Sequence, residues 1–148
     1  MQSLFTNTVL WAALIAWSIA QVVKTPLNYI LKHEWDWSLF LSAGGMPSSH
    51  SALVIAATHA IGLTQGFGSP LYALGVVLAM IVLYDATGVR RQAGEQARVI
   101  NAIVSDLVAG HPLKEEQLKE LLGHTPGEVI AGATLGLVVA QITCTTAR

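Results

Sequence analysis

The residues best suited to chemistry fall in two short runs, Pro47-Ser-Ser-His-Ser51 and Gly123-His-Thr-Pro-Gly-Glu-Val129. In the first, proline and serines stand where an apolar segment begins, the position at which they open and cap a helix. Such a terminus offers N–H groups and the positive end of the helix dipole to an anion such as phosphate. His50 would project beside Ser48 and Ser49, carrying an imidazole that exchanges protons near neutrality. In the second run Glu128 follows His124 by four residues. It can accept a hydrogen bond from one ring nitrogen, hold the tautomer, and leave the other nitrogen to attack. Taken singly, each run has a plainer explanation: an N-cap with a snorkelling histidine, and a capping acid in a first helical turn.

Cations complete the inventory. Lys24 is one; Arg90 and Arg91, just past Gly88, are two more whose forks could clamp phosphate oxygens. All three also suit an interfacial anchor, and Arg98 could pair with Glu95 along one helix face. His33 and His111 read as solvated loop residues, and His59 as a packed polar residue bonded to a neighbouring helix. Cys144, the single cysteine, reads as a small apolar side chain in a helix. A net charge of −1 argues against a nucleic-acid partner.

The elements that must position these groups follow from charge. Only 11% of the 148 residues are charged, against roughly 25% in ordinary globular chains, and mean hydropathy is +0.55. Sixteen of the seventeen charged residues lie in Lys24–Asp36 and Asp85–Glu128; the other is Arg148. The charge-free blocks that remain, Met1–Val23, Trp37–Tyr84 and Val129–Ala147, predict four membrane spans near 4–23, 50–65, 70–86 and 127–146. A Gly- and Pro-bearing turn, Gly62–Pro70, joins the middle two. The expected fold class is an all-α integral membrane bundle forming a single domain over residues 1–148. One or two short amphipathic helices are expected within 92–122, broken near Ala109–Leu113.

Four spans put windows 24–49 and 87–126 on one side, with seven of the eight Lys and Arg. The positive-inside rule makes that side cytoplasmic. The polar clusters around Lys24, Ser48, Asp85 and His124 would therefore share one face of a cell inner (plasma) membrane. The first segment lacks a basic run before it and reads as a retained span.

In combination these residues resemble a known family. Pro47-Ser-Ser-His50 looks like the PSGH signature of the type-2 phosphatidic acid phosphatases, relatives of acid phosphatases and vanadium haloperoxidases. His124 to Gly132 is similar to that superfamily's third motif. AQVVK, DWSLF, GGMPSSHSA, DATGVRRQAGEQARVIN and LKELLGHTPGEVIAG together resemble its small divergent bacterial and plastid branch, over about residues 20–136. The resemblance implies a metal-independent phosphatase with no cofactor. His124 would be the nucleophile that forms a phosphohistidine, Glu128 its orienting acid, and His50 the proton donor to the leaving group. Ser48, Ser49, Lys24 and an arginine would hold the phosphoryl oxygens. Leu31 and Lys32 stand where the family's first motif has Arg-Pro. Gln117-Leu118 stand where the family has Ser-Arg six residues before the third-motif histidine, and Arg90 or Arg91 is expected to supply that charge, with residues 92–118 inserted between. Four spans against the six helices usual for membrane members leave a second protomer to complete the pocket. A homo-oligomer thus joins the bilayer and a lipid substrate among the expected partners.

The inward-facing site favours phosphatidylglycerophosphate as substrate, ahead of phosphatidic acid or isoprenoid phosphates. Two alternatives differ in class. One is a metal-dependent phosphatidyltransferase, which DATGVRR faintly resembles, although only Asp85 and Asp106 stand ready as ligands. The other is a non-catalytic scaffold or anion-binding protein of the same fold.

Overall fold

The computed structural model describes residues 4–33, 35–40, 44–87, 96–97, 99–101, 103–104 and 124–147. Four long helices carry the fold: α1 (Thr8–Lys32), α2 (Ser49–Gln65), α3 (Pro70–Thr87) and α4 (Pro126–Thr146). Short 3-10 turns at Leu4–Thr6 and Trp37–Phe40 precede and follow α1. Residues 96–97, 99–101 and 103–104 are helical, with Val99 and Ile103 exposed. The rest of the two expected amphipathic helices, and the break at 109–113, lie outside the described residues.

The helix boundaries have local causes. Asn7 caps α1, its side chain accepting from the N–H of Leu10 at 3.1 Å. Ser69 does the same for α3 through Tyr72, with Pro70 next in line. Between α2 and α3, Gly66 takes φ +90°, a conformation that strains other residues, and its N–H closes α2 on the carbonyl of Gly62. The turn expected from Gly62–Pro70 is thus in place.

α1 departs from expectation. It was predicted to end at Val23, but runs to Lys32 with Pro26 inside it. Lys24 and Thr25, just beyond Val23, are buried in protein. Thr25 donates to the carbonyl of Asp36, while Gln21, one turn earlier, donates to that of Phe40. The chain turns at His33, in a left-handed C-cap conformation.

α2 is the hub. It packs against α1, α3 and α4, whereas α1 and α3 do not meet. Its neighbours α1, α3 and α4 are each long and apolar enough to cross a membrane. α2, with 17 residues, stands at the short end of the spanning range of about 17–25.

The core is made of small side chains. Ala12, Ala16 and Ala20 of α1 face Ala52, Ala56 and Ala60 of α2, with Ala140 and Cys144 of α4 beside them. Gly132 and Gly136 extend the α4 series. A Cβ at Gly136 would lie 2.5 Å from the carbonyl oxygen of Ala52, and one at Gly132 would collide with that of Ser48. A lipid solvent gives no hydrophobic drive for helix association, so backbone proximity through small residues supplies the dispersion contacts instead. Large apolar side chains point outward: Leu74, Val77, Ile81, Ile130, Val138 and Ile142 are all exposed. The chain is an all-α membrane bundle.

Aromatic rings mark both ends. Tyr29, Trp35, Trp37 and Phe40 form a chain of ring contacts at the end of α1, and Phe67 meets Tyr72 edge-on at the opposite end of the bundle. Trp11 and Tyr29 stand 18 residue steps apart on α1, about 27 Å of rise, close to the ~30 Å of a bilayer's hydrocarbon.

Candidate functional site

The four-residue ladder of small side chains ends, on three helices, in the groups singled out for chemistry. On α1 the series Ala12, Ala16, Ala20 continues to Lys24. On α2 it leads back from Ala52 to Ser48, and on α4 from Gly132 to Glu128. Close backbone contact along the ladder therefore forces these termini together.

The junction is direct. The N–H of Ser48 donates to the carbonyl of Glu128 at 2.9 Å, so the first turns of α2 and α4 meet. Two positive helix ends converge there, with Lys24 beside them. Lys24 is 1% exposed, and its Nζ donates to Ser49 Oγ at 3.4 Å. It is no snorkelling anchor: it faces into the bundle, two turns before the helix ends. Gly45, at φ +88°, and a cis Met46–Pro47 bond lead the chain into α2.

His124 is 3% exposed. Its N–H donates to the carbonyl of Ala86 at 3.0 Å, bringing in the end of α3. Its Nδ1 lies 3.0 Å from Glu128 Oε2. With the carboxylate ionised, Nδ1–H is the donor and Nε2 carries the lone pair. The same Oε2 accepts the N–H of Thr125 at 3.1 Å, and Thr125 Oγ1 accepts the N–H of Glu128 at 3.3 Å. This capping box locks the carboxylate against the imidazole. The His50 ring, from the first turn of α2, lies 6.4 Å from that of His124, centroid to centroid. On the α1 side of Glu128 a cavity of about 170 Å³ is lined by Lys24, Asn28, Met46, Thr125 and Glu128, among others.

Of the residues singled out in the sequence, Lys24, Ser48, Ser49, His50, His124 and Glu128 converge. Arg90 and Arg91 lie outside the described residues, as do Arg98, Asp106 and His111; Asp85 lies at the α3 end, next to Ala86. Ser48 takes the capping role that its position at the start of an apolar segment allows: its hydroxyl caps α2, lying 3.3 Å from Ser51 N and 2.9 Å from Ser51 Oγ. Its N–H, bonded to Glu128, joins α2 to α4. Among the described residues no three of His, Cys, Asp and Glu cluster as metal ligands. Outside the site, His59 Nε2 lies 3.2 Å from Gln141 Oε1 across α2 and α4, and Cys144 is buried in the core, both as expected.

Thr125 and Ser51 were not singled out in the sequence. The signal for Thr125 was available: a threonine three residues before a glutamate is the capping-box pattern. The ladder was readable too, as small residues at every fourth position.

The buried His124, the part-buried Glu128 and a second histidine, His50, thus gather at one end of a membrane bundle. The chain belongs to the Divergent PAP2 family, whose model matches residues 5–139. It is similar to YuiD of Bacillus subtilis (strain 168), an uncharacterized membrane protein, at 44% identity covering 94% of this chain and 95% of the relative. No solved structure matches it. Family and fold together make this a phosphatase-related membrane protein.

Proposed function

We propose that the protein is a metal-independent lipid phosphate phosphatase working through a phosphohistidine on His124. The observation that carries this is the 3.0 Å contact of His124 Nδ1 with Glu128, which leaves the lone pair on Nε2, with the His50 ring 6.4 Å away centroid to centroid. In the first step the Nε2 lone pair attacks phosphorus and the P–O bond to the lipid breaks. Protonated His50 gives its proton to the leaving alkoxide. In the second, neutral His50 takes a proton from water as that water attacks the phosphohistidine. The P–N bond breaks, inorganic phosphate leaves, and both histidines return to their starting states.

Charge on the phosphoryl oxygens is met by Lys24, the Ser49 hydroxyl and the two converging helix ends. With Ser48 engaged in the helix junction, Ser49 is the serine that answers to phosphate. Arg90 or Arg91 adds a further cation. The basic loops at this end favour a cytoplasmic site in the plasma membrane, and phosphatidylglycerophosphate as the substrate made on that leaflet.

The test is phosphate release from phosphatidylglycerophosphate, phosphatidic acid and undecaprenyl diphosphate by purified protein, with EDTA present. Release from one of them, lost in His124→Ala, together with an acid-labile, base-stable phosphoenzyme, is the expected outcome. Release that His124→Ala leaves intact would sink the mechanism. Phosphate binding without release from any lipid would make the chain an anion-binding scaffold instead.

A further inference from the structure

We infer that the groove between α3 and α4 is the binding site for one hydrocarbon chain of the lipid phosphate. This rests on the lipid-phosphatase reading of the histidine site. α3 and α4 are tied at the site end by the His124–Ala86 bond and touch little elsewhere. Between them lies a cavity of about 220 Å³, floored by Ile55 and His59 of α2 and walled by Tyr72, Val76 and Leu83 of α3 and Leu137 of α4.

Three observations select this groove. First, it begins at the site: Leu83 is one turn from Ala86, whose carbonyl holds His124, and Ile55 is five residues beyond His50. Second, among the described residues the other sides are closed along the span. α1, α2 and α4 are drawn together by their alanines and glycines, and the cavity beside Lys24 and Glu128 is lined by Leu27, Leu31 and Leu39, toward the Lys32 end of α1 and away from the span's middle. The cavity between α1 and α4 that includes Trp11 and Ile142 lies at the far end of the bundle. Third, the polar groups in the groove are turned to protein. Thr58 Oγ1 sits 2.8 Å from the Val54 carbonyl and 3.1 Å from that of Gly75, and His59 Nε2 meets Gln141. The surface left for a ligand is mostly apolar, Ile55, Val76, Ala79, Met80, Leu83 and Leu137, with Tyr72 at its far end.

Length adds a preference. From Leu83 to Tyr72 the groove follows eleven residues of α3, about 16 Å. It starts about 6 Å below the end of the helix, so its floor lies beyond the midplane of a ~30 Å hydrocarbon layer. A long single chain fills it; a short one does not.

The experiment uses the full-length protein in nanodiscs with phosphatidic acid bearing a diazirine in one acyl chain. Photolabelled residues are mapped by mass spectrometry. Label is expected at Val76 and Leu83, displaced by unlabelled phosphatidic acid but not by the same amount of phosphatidylcholine. Leu137→Trp, which fills the groove, should lower that label about fivefold or more, the factor for roughly 1 kcal/mol of lost fit. Val138→Trp, on the neighbouring lipid-facing position, should not. Label displaced equally by phosphatidylcholine, or concentrated on the outward residues Leu78 and Ile81, overturns the inference. His124→Ala should label like the wild type. A protein that labels as described yet hydrolyses nothing therefore counts against the phosphatase reading alone.

Discussion

Replacing Gly132 by alanine tests whether close backbone contact between α2 and α4 builds the site. At Gly136, one turn deeper, an added Cβ would sit 2.5 Å from the Ala52 carbonyl oxygen, about 0.9 Å inside an ordinary 3.4 Å contact. The clash at Gly132 is with the Ser48 carbonyl and is tighter still, with the Ser51 Cβ at 3.1 Å. Neither obstacle is a flexible side chain tip, so α4 must move out by about 1 Å in either variant. Overpacking of this kind costs about 1–3 kcal/mol, and both variants should unfold at similarly lowered temperatures. Their effects on catalysis should diverge. Moving α4 at Gly132 stretches the 2.9 Å Ser48–Glu128 bond and shifts His124 relative to His50. A displacement of about 1 Å at reacting groups costs on the order of 100-fold. Gly136 is about 6 Å further along the helix, so a displacement there reaches the histidines attenuated. The assay is kcat on a lipid phosphate in detergent, below both unfolding temperatures. Equal losses of kcat in the two variants, or an undiminished kcat in folded Gly132→Ala, would refute the argument.

Other substitutions separate the roles of neighbouring groups. Glu128→Gln keeps an acceptor for the Thr125 N–H but removes the charge that stabilises the imidazolium; kcat should fall on the order of 10²–10⁴-fold, and a change confined to KM would contradict that role. Lys24→Met removes a buried cation while keeping its volume. Loss of a charge-assisted bond of about 1.5–3 kcal/mol predicts a roughly 10–100-fold weaker inhibition by inorganic phosphate; unchanged inhibition would remove Lys24 from the pocket. Thr125→Ala breaks the capping box and should cost about 1 kcal/mol of stability with serine restoring it, read by thermal unfolding. His59→Leu, which breaks the bond to Gln141, should cost only about 0.6 kcal/mol of stability, read by thermal unfolding.

Much of the architecture was legible in the order of residues. Segregated charge located α2, α3 and α4 to within a residue or two, because transfer into lipid depends on composition over about 20 residues and little on neighbours. His124 and Glu128 were readable as a pair for a local reason too: an acid in the first turn of a helix can reach back over the cap to the residue just before it. The end of α1 was not readable. Lys24 looked like the boundary because charge normally stops a span, yet here the partner of that charge is Ser49, 25 residues away. The detailed occupation of Ser48 was equally hidden, since its N–H is taken by a carbonyl on another helix.

The sequence by itself determined that this chain enters a membrane as helices and which polar residues cluster at one end of them. Those properties are local sums of transfer free energy and helical periodicity. Only the tertiary structure decided that Lys24 is buried, that Ser48 joins two helices, and that a groove leads away from His50 and His124. These depend on how closely backbones approach across α1, α2 and α4. That distance is set where glycines and alanines from remote parts of the chain come into register.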